Sequence, residues 1–330
     1  MTSKRKLYLL LILVLMIVIL IMIGASIGRY HLTLYQVIQT FLGHGTYRSK
    51  MVIFTFRLPR LLLALLVGIG MGISGMIMQN ILHNHLASPG TLGVADGSSL
   101  FVTIYIAVVA QNFDHPIFLP LLAFVGGIIS ALIIFLLGTK YKRPISAIKL
   151  IMTGIAISAC YSAISTFLMY VLDESKLDFL FRWQAGDLWG SNWHYLIILS
   201  SWLALFIILL MYQAKTLNIM SLGRDEAISL GVPVKVIFIY LAMISVALSS
   251  AVVAFGGNFF FLGLIGPHIA KKIIGVDARY LIPASGLVSA IIILLAVILV
   301  DNSSILVNIP TGIVINILSV PYFLYLLMEK

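Results

Sequence analysis

Long apolar runs that recur along the whole chain restrict this sequence to a bundle of membrane helices. Hydrophobic residues make up 61% of the 330 residues and charged residues only 10%, whereas a soluble domain is about half apolar and about a quarter charged. Lipid offers no partner for backbone N–H and C=O groups, so each crossing segment must be helical. We predict an all-α polytopic membrane protein with about ten transmembrane helices, near residues 7–28, 61–80, 92–110, 117–138, 145–172, 195–213, 236–256, 259–274, 281–300 and 311–328.

The first apolar run could be a removable signal or a retained span. Lys4, Arg5 and Lys6 precede an uncharged stretch over 7–28. The apolar part of a signal peptide is about 7–15 residues long, whereas about 20 residues cross a bilayer, so we expect a retained span. Two thirds of the 21 Lys and Arg residues fall on the side of this N-terminus. The positive-inside rule therefore predicts that both termini are cytoplasmic, since the number of spans is even.

The chain has no soluble domain or long linker, so we expect residues 1–330 to form a single transmembrane domain. Gly68, Gly72 and Gly75 lie in the second span at the spacing that allows helix backbones to approach closely. This spacing predicts tight packing inside one bundle.

Several kinds of chemistry lack their usual residues. No Gly-Lys dipeptide occurs, so there is no phosphate-binding loop of the common ATPase type. Asp96 is the only clear intramembrane carboxylate, while carriers driven by ion gradients usually keep ionisable groups at mid-membrane. His83, His85 and His268 could ligate a metal or act in catalysis, but polar capping and structural hydrogen bonds are favoured because no third ligand or nucleophile accompanies them. We predict a non-enzymatic protein without a cofactor or a nucleic-acid partner.

The segment Ser221–Lys235 is a charged, helix-prone island between two apolar runs. Asp225 and Glu226 would lie in its first helical turn, where carboxylates interact well with the positive end of the helix dipole. Gly231 can end the helix in a left-handed conformation. A water-facing helix between two spans is suited to docking a soluble partner, and a plain amphipathic loop helix is the alternative.

Asn84, Pro89, Gly90 and Gly93 belong to the connection between the second and third spans. Pro89 and Gly90 break any helix there. Broken backbone at membrane depth is tolerated only where protein or a water-filled cavity surrounds it. The connection is therefore either a tight turn or part of the inner end of a permeation path, and the sequence favours neither.

Arg57 and Arg60 lie at the outer end of the second span, against the general charge bias. Their side chains could extend to lipid headgroups. Alternatively, they could form a positive clamp for acidic residues of an extracytoplasmic partner.

Six ordered segments of this chain resemble the FecCD family, the permease subunits of type II ABC importers for ferric siderophores, haem and cobalamin. They are Arg57–Gln79, Asn84–Gly97, Gly186–Trp193, Ser221–Val232, Phe261–Pro283 and Ile309–Leu327. The resemblance implies the type II ABC importer permease fold in a bacterial plasma membrane. It also implies a second permease subunit, two cytoplasmic ABC ATPase subunits that hydrolyse ATP, and an extracytoplasmic substrate-binding lipoprotein. An iron-siderophore complex is the commonest cargo in the family; haem, cobalamin and a gradient-driven secondary transporter are the alternatives.

The resemblance also assigns residues to these contacts. It implies that Arg57 and Arg60 dock the binding protein, while Asn84, Pro89, Gly90 and Gly93 are candidates for the pathway or gate because of the broken backbone described above. The residues implied to couple to the ATPase, in cytoplasmic coupling helices over about 221–232, are Leu222, Gly223, Arg224, Asp225, Glu226, Ala227, Leu230 and Gly231.

The chain departs from the family pattern at several positions. His85 stands where the family usually has proline, and Val297, Asp301 and Asn308 replace the usual aspartate, arginine and glutamate of the last outer loop. The reversed charge at Asp301 removes one expected docking contact. It favours a heterodimer over a homodimer, with the missing contact supplied by the partner permease.

Overall fold

The computed structural model describes residues 2–28, 30–109, 118–139, 145–188, 190–303, 306 and 309–328, so Asn308 lies outside the described residues. All regular structure within these ranges is helical, which confirms the predicted all-α class. The described α-helices are α1 Ser3–Ser26, α2 Leu34–Phe41, α3 Tyr47–Met51, α4 Leu58–Ile81, α5 Val94–Ile104, α6 Phe118–Gly138, α7 Ala147–Met169, α8 Glu174–Gln184, α9 Trp193–Tyr212, α10 Ala214–Met220, α11 Arg224–Ser229, α12 Val234–Gly256, α13 Leu262–Ile274, α14 Ala278–Asn302 and α15 Thr311–Met328.

Seven helical segments of the described chain are long and apolar enough to cross a membrane. They are α1, the continuous stretch Tyr47–Ile81 that includes α4, α6, α7, α9, α12 and α14. The other three predicted spans coincide with the shorter helices α5, α13 and α15. At 1.5 Å per residue, α13 is only about 20 Å long, which is less than the roughly 30 Å of bilayer hydrocarbon. The multi-pass class is confirmed, while the count of ten crossings and the side of each terminus stay predictions.

The second span begins earlier than the sequence predicts. A π-helical stretch over Val52–Arg57 joins α3 to α4, and the N–H of Leu58 donates to the carbonyl of Ile53. Pro59 explains this wider turn, because proline has no N–H to donate and its ring clashes with the carbonyl four residues earlier. The turn lies immediately before α4 and therefore sets the direction in which Arg57 projects.

The centre of the bundle is α4, which packs against α12, α13 and α14. In the most apolar stretch of this span 78% of the residues are buried, compared with 17% for α1 and 11% for α7, which lie at the periphery. A side-chain carbon placed on Gly75 would overlap the backbone of Gly263, and one on Gly68 would overlap the backbone of Ala290. The prediction that these small residues allow close helix packing is confirmed.

The bundle has two end faces. At one end, the C-terminal ends of α1 and α14 meet the start of α4; we call the residues Arg57, Arg60 and Asp301 there the rim. The other end brings together the start of α1, the end of α4, α10 and the start of α14. The coupling segment, Leu222–Gly231, lies at this second end, which the charge bias predicts to be cytoplasmic.

Candidate functional site

The coupling segment contains a single short helix, α11, whose two ends are formed as the sequence predicts. Asp225 and Glu226 lie in its first turn. At its other end the N–H of Val232 donates to the carbonyl of Ala227 over 3.0 Å, and Gly231 has a φ of 80°. This double feature is the usual way in which a left-handed glycine terminates a helix.

The coupling segment displays large apolar side chains to solvent. Leu222, Ile228 and Leu230 are 62%, 50% and 60% exposed, while Ala227 is buried against the bundle. Arg224, Asp225 and Glu226 carry charge on the same segment. Three large apolar side chains bordered by charges form the kind of patch that another protein covers.

A cavity of about 470 Å³ lies between the coupling segment and the bundle. Arg224, Ile228 and Val232 line it on one side, and Ile81 and His83 line it on the other. This empty space leaves room for the coupling segment to shift relative to the ends of the spans.

At the rim, Arg57 is engaged inside the chain. One of its terminal nitrogens donates to the carbonyls of Ala25 and Ser26, over 2.7 and 3.1 Å, and the other donates to the carbonyl of Tyr30. The last carbonyls of a helix have no partner within the helix and attract positive charge. Arg57 therefore caps the C-terminal end of α1, a role that the sequence does not reveal.

Arg60 faces acidic side chains. Its Nη2 lies 3.5 Å from Oδ1 of Asp301, in a pair that is about one third exposed, and its buried Nε has no hydrogen-bond partner in the described chain. Asp187 also lies close enough to interact electrostatically with Arg60. Burial raises the pKa of Asp187, while the positive charges of Arg60 and Arg182 lower it. The rim surrounds a cavity of about 390 Å³. Because Asp301 and Asp187 lie near Arg60, the net positive charge around this cavity is smaller than that of the two arginines alone.

The connection from Asn84 to Gly93 is packed inside the protein. Asn84 Oδ1 accepts from the N–H of Leu86 over 2.9 Å, and Pro89 is buried at the start of a single 3-10 turn. A side-chain carbon on Gly90 would overlap the ring of Phe260. Gly93 has a φ of 62°, and its carbonyl accepts from Ser130 over 2.7 Å. The structure thus brings these four residues together against α6 and the loop before α13.

The three histidines make structural contacts. Nε2 of His83 lies 2.9 Å from the carbonyl of Met220. The rings of His85 and His268 are 5.8 Å apart, and that of Tyr322 lies 6.0 Å from His268. In the ranges that the structure describes, no three His, Cys, Asp or Glu side chains are grouped as a metal site.

Helix α7 carries a surface that the sequence analysis did not identify. Only 11% of the residues in its most apolar stretch are buried. Ser162 and Thr166 are exposed along it, and Ser158 is partly exposed. Positions separated by four residues share a helix face. Hydroxyl residues at this spacing within an apolar run were the signal that could have revealed this surface.

The fold and these surfaces define a class of protein. A bundle of long apolar helices carries an exposed short helix at one end and a charged rim at the other, which is the arrangement of a multi-pass membrane protein.

The chain belongs to the FecCD transport family, whose family model matches residues 14–329. The chain is 36% identical to the iron(3+)-hydroxamate import system permease protein FhuG of Bacillus subtilis, over 93% of this chain and 92% of that protein. It is 35% identical to the hemin transport system permease protein HmuU of Yersinia pestis, over 83% and 82% of the two chains. A solved transporter, assigned to the metal-chelate type of ABC transporters and in an inward-facing conformation, superposes with a TM-score of 0.84 at 30% identity, covering 98% of this chain and 100% of that one.

These comparisons confirm the predicted resemblance. The chain is a permease subunit of an ABC importer and a multi-pass protein of the plasma membrane. Family membership argues against the secondary transporter and against an intramembrane enzyme that uses His83, His85 or His268.

Proposed function

We propose that this chain forms part of the translocation pathway of a bacterial importer for an iron chelate. Partner subunits hydrolyse the ATP that drives this importer. Relatives named for hydroxamate and hemin transport support a chelate cargo. The observation that carries the energy coupling is the exposed apolar patch of Leu222, Ile228 and Leu230, because a soluble ATPase would remove this patch from water. The iron chelate passes through unchanged, and haem or cobalamin is the alternative cargo.

The coupling segment is proposed to bind the ATPase through a helix and its two flanks. Ala227 anchors α11 to the bundle, while Arg224, Asp225 and Glu226 set the orientation of the partner through charge complementarity. Gly223 and Gly231 supply the backbone conformations with φ of 126° and 80° that begin and end the helix. The cavity behind the segment lets ATP-driven movement of the partner displace it.

The rim is proposed to dock the extracytoplasmic lipoprotein. Arg60 supplies the cationic contact, while Arg57 holds the end of α1 in place and contributes positive charge. Asp301 reduces the positive charge of this subunit, so we propose a heterodimer in which the second permease provides the stronger docking contact. Purification of a transport-competent complex that contains this permease and no second permease type would refute the heterodimer.

The exposed face of α7 is proposed to form one wall of the pathway between the two permeases. Its hydroxyl groups favour a wet surface over lipid. Asn84, Pro89, Gly90 and Gly93 form the inner end of this wall, since Gly93 lies beside Ser158 of α7. Asp96, whose side chain lies near Ser158, belongs to the same junction.

The proposal is tested by uptake of labelled cargo in cells that lack the chromosomal copy of this chain. Iron-hydroxamate, iron-citrate, haem and cobalamin are supplied in turn, with and without a protonophore. We expect uptake of an iron chelate that disappears when the ATPase lysine that binds phosphate is replaced and persists when the proton gradient collapses. Uptake that follows the gradient and ignores the ATPase would instead establish the secondary transporter.

A further inference from the structure

Asn218 joins the coupling segment to the start of a central helix. It lies in α10, and its backbone carbonyl accepts from the hydroxyl of Ser221 over 2.7 Å, immediately before the coupling segment. Its side chain contacts the start of α14. The amide Nδ2 donates to Oδ1 of Asp277 over 3.0 Å, and Oδ1 accepts from the N–H of Ala278 over 2.7 Å.

This contact completes the N-terminal cap of α14. The first N–H groups of a helix have no partner within it. Asp277 accepts from the N–H of Arg279 over 3.2 Å, and Asn218 satisfies the N–H of Ala278 from a different helix. The side-chain hydrogen bond from Asn218 is the largest of the causes that lower the pKa of Asp277; burial acts against it, and the Arg279 N–H and the charge of Lys6 add to the lowering.

Helix α14 connects this contact to the opposite end of the bundle. It is a continuous helix of 25 residues, about 37 Å long at 1.5 Å per residue, and its membrane segment is 72% buried. It packs along α4, and its last turn carries Asp301, which pairs with Arg60 at 3.5 Å. One buried helix is thus attached at its first turn to α10, which immediately precedes the coupling segment, and carries a residue of the rim in its last turn.

We propose that Asn218 is a positioning residue of the transport cycle, which ties the coupling segment to α14 so that its displacement by the ATPase reaches the rim through that helix. This proposal rests on the function proposed above and adds a route for the motion. A helix moves as a nearly rigid rod, because hydrogen bonds between each backbone N–H and the carbonyl four residues earlier run along its length. A movement applied at Asp277 is therefore transmitted to Asp301.

Loss of the Asn218 side chain leaves other attachments in place. The contact between His83 and the carbonyl of Met220 still holds α10 to the end of α4. Lys6 Nζ lies 3.9 Å from Oδ2 of Asp277, and this ion pair does not involve Asn218. We therefore expect variants at Asn218 to fold and to assemble with the ATPase.

The test uses the complete importer reconstituted in liposomes with its lipoprotein, and measures both ATP hydrolysis and cargo uptake. In Asn218→Ala we expect basal hydrolysis to stay normal, while stimulation by the lipoprotein and uptake per ATP fall at least about fivefold, because two hydrogen bonds are lost. Asn218→Asp should have a similar defect, since it places two carboxylates together. The exchanged pair Asn218→Asp with Asp277→Asn restores donor and acceptors, and should recover most of the coupling.

Asn192→Ala is the matched control. Asn192 also caps a helix, accepting from the N–H of Tyr195 over 2.9 Å, but it precedes α9 and is far along the chain from the coupling segment. A normal ratio of uptake to hydrolysis in Asn218→Ala, or an equal loss in Asn192→Ala, would overturn the proposal. If the unmodified importer shows no ATP-dependent uptake, the proposed function itself fails, and that result is distinct from a defect confined to Asn218.

Discussion

Arg57 and Arg60 lie almost one helical turn apart, yet their guanidinium groups have different partners. Arg57 donates to backbone carbonyls at the end of α1, whereas Arg60 faces the carboxylate of Asp301. Arg57 completes the end of a helix, and Arg60 contributes charge to the proposed docking surface. The two arginines of one motif should therefore differ when each is replaced.

Replacement of Arg57 should mainly affect stability. In Arg57→Ala the carbonyls of Ala25 and Ser26 lose their charged donor, at a cost of about 1–3 kcal/mol in the free energy of unfolding. Thermal unfolding of the purified permease in detergent measures this loss as a lower Tm. An unchanged Tm together with lost lipoprotein binding would assign Arg57 to docking instead.

Replacement of Arg60 should mainly affect docking. Arg60→Glu places a carboxylate against Asp301 and should weaken lipoprotein binding, most strongly at low salt, where exposed charges are least screened. Arg182→Glu is the control, because Arg182 is also predicted to face outward but pairs with Asp178, at 2.9 Å, and not with Asp301. Equal affinities of the Arg60→Glu variant and the unmodified importer would favour lipid anchoring.

Gly75 and Gly263 form a contact that responds differently from its two sides. A side-chain carbon on Gly75 would overlap the Gly263 backbone, while one on Gly263 would lie 3.5 Å from its nearest neighbour, in Met71. Gly75→Ala should therefore destabilise the fold by about 1–3 kcal/mol, and Gly263→Ala should not. Unfolding in increasing detergent or denaturant compares the two, and equal stability of both variants would contradict the close approach of α4 and α13.

At the scale of elements, locally determined helices could be predicted and context-dependent ones could not. The start and stop of α11 depend on Asp225, Glu226 and Gly231, which act on neighbours within one turn. The π-helical stretch before α4 follows from Pro59 but leaves no mark on the apolar pattern, and the short length of α13 depends on packing with distant helices. Apolar composition alone therefore placed the ten segments but gave α13 a slightly greater length than the structure supports, whereas a π-helical stretch over Tyr105–Val109 continues α5 almost to the end of the predicted span.

The end of the coupling helix offers a test at the element scale. Gly231→Val should reduce uptake per ATP and weaken ATPase binding, because a β-branched residue is strained at a φ of 80° by about 1–2 kcal/mol. Gly231→Asn should be tolerated, since asparagine adopts this conformation more readily. No atom of the described chain lies near enough to Gly231 to clash with an added side-chain carbon, so a defect shared by both variants would point to loss of a direct ATPase contact.

At the scale of the whole molecule, burial distinguishes a central set of helices from the exposed α7. The helices α4, α12 and α14 are mostly buried, so the exposed face of α7 is available for water, cargo or the second permease. Which face of α7 stays uncovered is decided only when the bundle is assembled, because neighbouring helices cover the other faces.

A cysteine placed on the hydroxyl face of α7 reports on the environment of that face. The native Cys160 is the single cysteine of the chain and is exposed, but it is two residues from Ser162 and therefore lies on the opposite side of the helix. In the reconstituted importer carrying Ser162→Cys with Cys160→Ser, we expect a charged maleimide to label position 162 at a rate that changes when ATP is trapped. Ser200→Cys in the same Cys160→Ser background is the control on the apolar surface of α9, and should react at least about tenfold more slowly, because thiolates form poorly in apolar surroundings. Equal rates would place the hydroxyl face of α7 in lipid.

The sequence by itself determined the membrane class, the positions of the helical segments, the two caps of α11 and the family. These depend on properties carried along the chain: runs of apolar residues, turn-forming glycines and prolines, and ordered motifs. Only the tertiary structure decided that Arg57 caps α1, that Asp301 pairs with Arg60, and that Asn218 joins α10 to α14. Each of these contacts links residues that are far apart in the sequence, and the choice of partner depends on how the helices pack against one another.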